Sequence, residues 1–337
     1  MKITTLIPAY KSKYLVELLT SLRYQTVKPA RILFSDDSPK QDFMAMLNSE
    51  PLKSAVADLM IEVVPGPRTG AYNNFRHLLK IFNGATDLFH FLLDDDIIFP
   101  SFYERHLVAH SMGQLPCVIS RRWTALESGV PIDDLPVPQA VTDHPQRMLS
   151  LDADLLFQRT VGLGMNWLGE FSNATFRSEL ADEVADSRMD GISFAGLEDL
   201  GAFLRASLRG PVGYINEHLG CFRTNPEQNS ANPMGRPMKL AFLAYIALAI
   251  AAHRLGLFTT TQCYAVLERV SPVIGYHYRS ELDLEEICAL MPRLAKGDPE
   301  AISAFLALWY VYSGSGARPQ MAVLVGAARG NYLRESF

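Results

Sequence analysis

The sequence has little cysteine, and no two cysteines stand at close spacing. Only four of its 337 residues are cysteines, and none of them forms the CxxC pattern of zinc knuckles and redox motifs. Small disulfide-stabilised proteins and structural zinc modules are therefore excluded, and a reducing compartment, the cytoplasm, is the expected location. The four positions lie far apart along the chain: Cys117, Cys221, Cys263 and Cys288.

A concentration of positive charge is also missing. The chain has 31 Lys+Arg residues against 36 Asp+Glu residues, a formal net charge of −5, and its densest basic spot is the pair Arg121 and Arg122. Binding to nucleic acid without regard to its sequence needs clustered basic residues that neutralise phosphates. No nucleic-acid partner is therefore predicted.

No hydrophobic run is long enough to cross a bilayer. The most apolar stretch, residues 240–252, is shorter than the roughly 20 residues that a membrane-spanning helix needs, so we expect a core helix there. Lys239 and Arg254 flank it, which leaves docking on the cytoplasmic face of a membrane as an alternative. Only a few apolar residues precede Pro8, so no signal peptide is predicted.

The composition is instead that of a globular protein with a large core, at 48% hydrophobic and 20% charged residues. In the first hundred residues, short β-type runs alternate with apolar residues at helical spacing. This alternation predicts an α/β fold with a mostly parallel sheet covered by helices on both faces. In such sheets ligands bind beyond the carboxyl ends of the strands. We expect strands at residues 3–8, 31–35, 60–64 and 88–93, and helices at 13–25 and 72–82.

The pattern changes twice along the chain. After Pro100 it is less regular, with helices expected at residues 101–112, 176–185 and 197–208 and a proline-containing loop at 129–147. From Pro237 onward the sequence is rich in Ala and Leu and has few strand signals. We therefore predict an α/β domain over residues 1–236, divided at residue 100, and an all-α appendage over residues 237–337.

Three acidic clusters stand out, and the densest is the triplet Asp94, Asp95 and Asp96 after an expected strand. Consecutive carboxylates repel one another unless a cation is present. Oxygen ligands at this spacing suit Mg²⁺ or Mn²⁺, which one or two carboxylates and substrate phosphates commonly hold. Taken alone, the triplet is equally typical of a solvated acidic turn with a helix-capping role.

The other two clusters favour the chemical interpretation. Asp36 and Asp37 end the second expected strand, at the same edge of the sheet, and Glu198 and Asp199 begin an expected helix. An acidic pair at a helix start can serve only to interact with the helix dipole. Three such clusters in one chain are harder to explain by capping alone.

The order of four motifs resembles the inverting family-two glycosyltransferases of the GT-A fold. These motifs are IPAYK (7–11), SDDSP (35–39), LLDDD (92–96) followed by Pro100, and GLEDLGAFLR (196–205). The resemblance covers roughly residues 1–230. It implies a GT-A catalytic domain over residues 1–236, with a nucleotide-binding half at 1–100 and an acceptor-binding half at 101–236. The residues at 237–337 would be a helical C-terminal domain.

The resemblance also implies roles for individual residues. Asp199 would be the catalytic base with Glu198 beside it, and Asp96 with Asp94 would hold a divalent cation, Mn²⁺ or Mg²⁺. Whether Asp95 or Asp96 binds the metal stays open, because the triplet admits two alignments. The residues implied to bind the donor are Pro8, Tyr10, Asp37, Arg68, Asn74, Asp94, Asp95, Arg223 and Asn225.

Some of these assignments compete with simpler interpretations. Trp167 and Asn166 stand where the family often contacts the acceptor, although a buried core aromatic is the more ordinary role for a tryptophan. Arg68 is also typical of an exposed loop cation. The family commonly has a histidine two places after the arginine that matches Arg223, whereas this chain has Asn225.

The resemblance predicts transfer of a sugar from a nucleotide-diphosphate sugar to an acceptor hydroxyl of a glycan, polysaccharide or lipid-linked saccharide. UDP is the commonest donor nucleotide in the family, with GDP and dTDP as alternatives. The competing functions are a sugar nucleotidyltransferase, disfavoured because IPAYKSKY lacks glycine, and an inactive carbohydrate-binding relative. Three roles are open for the helical tail: packing against the catalytic domain, forming a homo-oligomer such as a homodimer, or helping to reach a lipid-linked acceptor through peripheral membrane contact.

Overall fold

The structure of the chain is a computed structural model that describes residues 1–50 and 52–314. Its twelve described strands are β1 Ile3–Ala9, β2 Arg31–Asp36, β3 Ile61–Pro65, β4 Leu88–Phe91, β5 Ile97–Ile98, β6 Cys117–Ala125, β7 Pro131–Asp134, β8 Met148–Leu151, β9 Ala174–Arg177, β10 Arg188–Met189, β11 Ile192–Ser193 and β12 Val212–Arg223.

The α-helices alternate with these strands up to β12 and then follow one another. Those before β12 are α1 Leu15–Arg23, α2 Asp42–Leu47, α3 Leu52–Ala55, α4 Ala71–Phe82, α5 Phe102–Ser111, α6 Gln139–Thr142, α7 Ala153–Arg159, α8 Ala181–Ala185 and α9 Glu198–Ser207. Those after it are α10 Arg236–Arg254, α11 Thr260–His277, α12 Glu285–Leu294 and α13 Pro299–Tyr312.

Ten strands form one mixed sheet, in the order β3-β2-β1-β4-β9-β6-β12-β5, with β7 on β6 and β8 on β12. The pairings β2–β3, β1–β2, β1–β4 and β6–β12 are parallel, and β9 joins β4 to β6 by antiparallel pairing. Six strands therefore run in one direction: β1, β2, β3, β4, β6 and β12. The predicted α/β class with a mostly parallel sheet is confirmed.

Both faces of the sheet are covered, as predicted. The side chains of β1 alternate, since Leu6 belongs to one hydrophobic cluster and Ile3 and Ile7 belong to another. The second cluster contains the buried residues of α1, α2 and α5. The first contains those of α4 and α9. Burial of apolar residues on both sides of a sheet is what drives its helices onto both faces.

The helices after residue 235 share a hydrophobic cluster with α9 and β9. Residues 243–252 of α10 are buried along its whole circumference, so the expected core helix is confirmed. In the described part of the chain no helix combines the length and the apolar character that a bilayer crossing requires. Residues 315–337 of the predicted helical region lie outside the described residues, and the division into two domains stays a prediction.

Two sequence predictions in the middle of the chain are wrong. A helix was expected over residues 176–185, but Ala174–Arg177 forms β9, and only Ala181–Ala185 is α-helical. Pairing on both sides, with Leu88 and Phe89 of β4 and Cys117 of β6, overrides the local helix preference of this segment. The expected loop at 129–147 contains the short strand β7 and the helix α6.

Candidate functional site

The polar residues that follow β1, β2 and β4 meet at one edge of the sheet, which we call the carboxyl edge. The register places Ala9 opposite Asp36, and Asp36 opposite Pro65, so the ends of the first three strands lie side by side. Leu6 pairs with Phe91 at the end of β4. The segment 92–96 therefore leaves the sheet beside the segment that follows Ala9.

Asp94 fastens these two segments together. Its Oδ2 accepts hydrogen bonds from the backbone N–H groups of Tyr10 and Lys11, both at 2.5 Å. Burial, together with the negative charge of Asp95, raises the pKa of Asp94 to about 6. The carboxylate therefore holds the loop after β1 in a fixed position at the carboxyl edge.

Asp95 is surrounded by donors of its own chain. Its Oδ2 lies 2.6 Å from Lys11 Nζ, 3.2 Å from Asn225 Nδ2 and 3.4 Å from Gln228 Nε2. None of these three pairings with Asp95 was predicted from the sequence, which assigned Asn225 to donor binding. A carboxylate with an ammonium and two amides around one oxygen is well compensated in a buried position.

Asp96 is the member of the triplet with an oxygen to spare. Its Oδ1 accepts a hydrogen bond from the backbone N–H of Arg223 at 3.1 Å, whereas its buried Oδ2 makes no hydrogen bond of regular geometry among the described residues, although the Ser172 side chain favours its ionised form. Burial is the main cause that raises the pKa of Asp96 well above its ordinary value, and the charge of Asp95 adds to it. An unpaired buried oxygen is costly unless a ligand or ion satisfies it.

This arrangement fits a divalent cation held by few protein ligands. Within residues 1–50 and 52–314, no group of three or more His, Cys, Asp or Glu side chains forms a metal-binding cluster. Mg²⁺ is usually held by one or two carboxylates together with substrate phosphates, so a cluster of three is not required. The free Oδ2 of Asp96 is the oxygen that such an ion would use.

Arg223 is buried, with 2% of its surface exposed, and all three of its side-chain nitrogens donate to protein acceptors. Nε donates to the Asp95 carbonyl oxygen at 2.9 Å, Nη2 to Glu17 Oε2 at 2.7 Å, and Nη1 to the Glu127 carbonyl oxygen. Its guanidinium also lies 4.5 Å from the ring centroid of Tyr14. The structure thus places Arg223 as a support beneath the acidic triplet.

The pair after β2 divides into one structural and one accessible carboxylate. Asp36 is fully buried, and it accepts hydrogen bonds from the Ser38 hydroxyl at 2.5 Å and from the Met44 N–H at 2.9 Å. Asp37 is half-buried and accepts a hydrogen bond from the backbone N–H of Arg68. A Cβ at Gly66 would lie 2.6 Å from Asp37 Oδ1, so only glycine permits this approach.

The other residues expected to bind the donor surround this point. Arg68 is exposed, and Tyr10 has 58% of its surface exposed, while Pro8 is half-buried near the end of β1. Asn74, in the first turns of α4, is buried and donates to the Ser35 carbonyl oxygen at 3.2 Å. Its Oδ1 has no partner in the described residues. The structure therefore brings these residues to the carboxyl edge.

Glu198 and Asp199 form the first turn of α9. Glu198 Oε1 accepts the Gly196 N–H at 2.9 Å, and Asp199 Oδ1 accepts the Leu200 N–H at 2.7 Å. Burial, with a contribution from the negative charge of Glu170, raises the pKa of Asp199 to about 7. A carboxyl group with such a pKa can accept a proton near neutral pH.

The C-terminal helices support this turn from behind. Gly196 has a φ of +96°, and a Cβ there would lie 2.5 Å from the backbone nitrogen of Ala241 in α10. Trp309 of α13 donates its Nε1–H to the Ser193 carbonyl oxygen at 2.8 Å. The segment leading into Asp199 is therefore held by close packing against α10 and by a hydrogen bond from α13.

Glu170 connects the triplet with the acidic pair, and sequence reasoning missed it. Arg122 binds it through two hydrogen bonds, of 2.6 and 2.9 Å. Its charge is among the causes that raise the pKa values of both Asp96 and Asp199, so it acts electrostatically on both clusters. Nothing in the local sequence marks Glu170, because its partner is 48 positions away.

The structure does not bring Trp167 and Asn166 to the triplet. Trp167 is fully buried, contacts the Tyr214 ring edge-on at 5.5 Å between centroids, and has no partner for its Nε1 among the described residues. It lines a groove of about 390 Å³ beside β8, which pairs with residues 212–215 at the other end of β12 from Arg223. Asn166 donates to the Gly169 carbonyl oxygen at 2.8 Å. Their acceptor role stays a prediction.

No protein-family model and no curated protein matches the chain. Solved structures do: one of S. aureus TarS has a TM-score of 0.58 and 15% identity, over 94% of this chain and 53% of that chain. The chain thus spans about half the length of that TarS chain. TarS 1–349 in complex with UDP-GlcNAc gives a TM-score of 0.53 and 14% identity, over 94% of this chain and 92% of that one.

The complex of TarS 1–349 with UDP gives a TM-score of 0.50 and 14% identity, with the same coverage of the two chains. At such low identity the likeness establishes the fold. The chain has the α/β fold of TarS, with the carboxyl edge of its sheet carrying Asp37, Asp94, Asp95 and Asp96.

Proposed function

We propose that the chain is an inverting glycosyltransferase, which moves a sugar from a nucleotide-diphosphate sugar to an acceptor hydroxyl. The shared fold with TarS, which has been solved with UDP-GlcNAc and with UDP, supports a nucleotide-sugar donor, and a UDP-sugar is the first to test. The acidic and amide side chains at the carboxyl edge lie where an α/β sheet binds its ligand.

The state of Asp199 is the observation that carries the proposal. Its carboxyl is packed at the start of a helix, and within residues 1–50 and 52–314 the neighbouring residue that donates to it is Leu200. Burial raises its pKa to about 7, so it can be ionised at neutral pH and still be basic enough to take a proton. An acceptor hydroxyl needs such a group in order to attack.

The proposed reaction is a single displacement. Asp199 takes the proton of the acceptor hydroxyl as its oxygen bonds to the anomeric carbon. The bond from that carbon to the phosphate oxygen breaks at the same time, and its electron pair leaves with the nucleoside diphosphate. Attack opposite the leaving group inverts the anomeric centre. Glu198 lies beside the base and, fastened to the Gly196 N–H, holds the turn in place.

The donor would lie along the carboxyl edge. Asp37, Arg68 and Asn74, with Pro8 and Tyr10, would surround the nucleoside, and the triplet would face the diphosphate. Mn²⁺ or Mg²⁺ on Asp96, with Asp94 nearby, would supply positive charge to the leaving diphosphate. The free Oδ2 of Asp96 supports this assignment over Asp95, whose Oδ2 is already occupied by Lys11.

A donor screen tests the proposal. The purified chain is mixed with UDP-, GDP- and dTDP-sugars and Mn²⁺, its thermal stabilisation is measured, and the phosphate product is identified after incubation with saccharide acceptors. We expect one nucleotide to stabilise the chain and nucleoside diphosphate to be released. Asp199→Asn should bind the same donor while its turnover falls by about 10²–10⁴-fold.

Asp182→Asn is the matched control, because Asp182 also lies in the first turn of a helix but is exposed. Its turnover should equal that of the wild type. In a parallel mixture of a nucleoside triphosphate and a sugar phosphate, formation of pyrophosphate would instead indicate a nucleotidyltransferase, and sugar binding without any nucleotide turnover would indicate an inactive relative. Normal turnover by Asp199→Asn would exclude Asp199 as the base.

A further inference from the structure

Among the described residues, the half-buried Lys11 and the buried Arg223 both donate hydrogen bonds to the acidic triplet. They differ in how many of their N–H donors a ligand can reach. We propose that Lys11, rather than Arg223, is the protein cation that contacts the diphosphate of the donor. This inference rests on the proposed function, and it assigns one residue of that site. It departs from the expectation from sequence, in which Arg223 is the cation of this region that binds the donor.

Arg223 spends three of its five side-chain N–H donors on acceptors of its own chain, and burial, with 2% of its surface exposed, keeps the other two away from a ligand outside. Each of Nε, Nη1 and Nη2 already donates to an acceptor of the chain, and the guanidinium plane is covered by the Tyr14 ring. To reach a phosphate the buried guanidinium would have to move outward, and the Asp95 carbonyl oxygen would then lose its donor. Such losses are costly in a buried site.

Lys11 has donors to spare. Its ammonium carries three N–H groups, and its only acceptor among the described residues is Asp95 Oδ2 at 2.6 Å. The side chain keeps 19% of its surface exposed, so its remaining donors are reachable from outside. The backbone N–H of the same residue is bound to Asp94, which fixes the start of the side chain beside the triplet.

The other donors around Asp95 allow the Lys11 ammonium to contact a phosphate as well as Asp95. Asn225 Nδ2 and Gln228 Nε2 donate to the same oxygen as Lys11, at 3.2 and 3.4 Å. Asp95 therefore remains hydrogen-bonded when the ammonium also turns toward a phosphate. A lysine ammonium is a compact point charge that suits this kind of phosphate contact.

Binding measurements with UDP and with uridine test the assignment, because the two ligands differ only in the diphosphate. Affinities are measured by calorimetry for the wild type, Lys11→Met and Lys13→Met, in EDTA and in Mn²⁺. Lys13 is the matched control, since it is a lysine two residues further along whose partners are the exposed Glu127 and Glu227. Lys11→Gln serves as a second variant if Lys11→Met does not fold.

In EDTA we expect Lys11→Met to bind UDP about tenfold or more weakly than the wild type, with an unchanged affinity for uridine. Lys13→Met should stay within about twofold for both. Unchanged UDP affinity in Lys11→Met would overturn the inference, and so would an equal loss for UDP and uridine, which would indicate a structural role. If the wild type binds neither UDP nor another nucleoside diphosphate, the proposed function itself fails, and the inference with it.

Arg223→Met separates the two cations in the same assay. We expect it to lower the midpoint of thermal unfolding, because it removes the donors of Glu17, Glu127 and Asp95. Its loss of affinity should be similar for UDP and uridine. A variant that is as stable as the wild type and loses only UDP binding would restore the phosphate role to Arg223 and overturn the assignment to Lys11.

Discussion

The acidic triplet after β4 and the acidic pair at the start of α9 are alike in sequence but differ in how far the chain satisfies them. In the triplet, Asp94 and Asp95 accept hydrogen bonds from five donor groups of the chain. In the pair, Asp199 accepts a hydrogen bond from one neighbouring residue, Leu200. Carboxylates that are alike in sequence context thus differ in how many hydrogen bonds the chain donates to them.

This difference in hydrogen bonding suggests two roles, ligand binding for the triplet and proton transfer for the pair. Satisfied carboxylates fix the backbone, and in the triplet they leave one free oxygen, Oδ2 of Asp96, in a rigid position. Raised pKa values occur in both clusters, but that of Asp96 is lowered when a cation binds, whereas the half-buried Asp199, with a pKa of about 7, can exchange a proton with an acceptor. We infer that the triplet binds and that the pair carries out the proton transfer.

Substitution of single aspartates in the triplet should have the largest effect, because it tests directly whether the triplet binds the metal. Asp96→Asn removes the charge of the free oxygen, so we expect stabilisation by Mn²⁺ with UDP to disappear and turnover to fall by about 100-fold. Asp95→Asn keeps the free oxygen of Asp96, and it should retain the response to Mn²⁺. Thermal shift and turnover in matched Mn²⁺ and EDTA buffers measure both effects.

A reversed result would assign the metal to the other residue of the triplet. Asp95→Asn would then lose the Mn²⁺ response, and Asp96→Asn would keep it. Full turnover of the wild type in EDTA would remove the metal from the proposal altogether. In that case Lys11 would be the cation nearest to the triplet with donors to spare.

The pH dependence of the reaction should show a smaller effect, and it tests whether Asp199 is the group that takes the proton. Because the pKa of Asp199 is about 7, we expect kcat/KM to rise about tenfold per pH unit below 7 and to level off above it. UDP affinity measured over the same range separates this rise from a loss of donor binding, since the pKa of Asp94 is about 6. A profile that is flat from pH 5 to pH 8 would contradict Asp199 as the titrating base.

The positions of the strand ends were predictable from the sequence. Apolar runs that lead into IPAYK, SDDSP and LLDDD predicted three neighbouring strands, and parallel pairing brings their ends to one edge. The order of the motifs was sufficient to expect Asp37, the triplet and Asp199 in one protein. Periodicity alone failed at β9, where pairing with β4 and β6 decides the structure.

The division of roles among charged residues was not predictable in the same way. Arg223 matches a family position, but its partners Glu17 and Glu127 lie 206 and 96 positions away, and only the fold brings them to it. Lys11 belongs to the motif IPAYK, but the sequence assigned it no role, because its partner Asp95 lies 84 positions away. Glu170 was missed for the same reason. Long-range pairing decides which ions are free, and one sequence does not reveal it.

The smallest expected effect is on the free energy of unfolding, to which ionised Asp199 makes an unfavourable contribution. The pKa of Asp199 is about 7 in the folded chain and near 3.9 in an unfolded one, so the folded state binds more protons between these pH values. Its contribution to the free energy of unfolding therefore decreases as pH rises from about 4 to 7. Asp199→Asn does not titrate, so at pH 8 its midpoint of thermal unfolding should exceed that of the wild type by roughly 2 °C or more, and at pH 4.5 the difference should shrink. Asp182→Asn, at an exposed position, should shift the midpoint by about 1 °C or less at both pH values. A difference for Asp199→Asn that does not grow with pH would mean that burial does not raise the pKa of this carboxyl, and the contrast between the triplet and the pair would then have to rest on geometry alone.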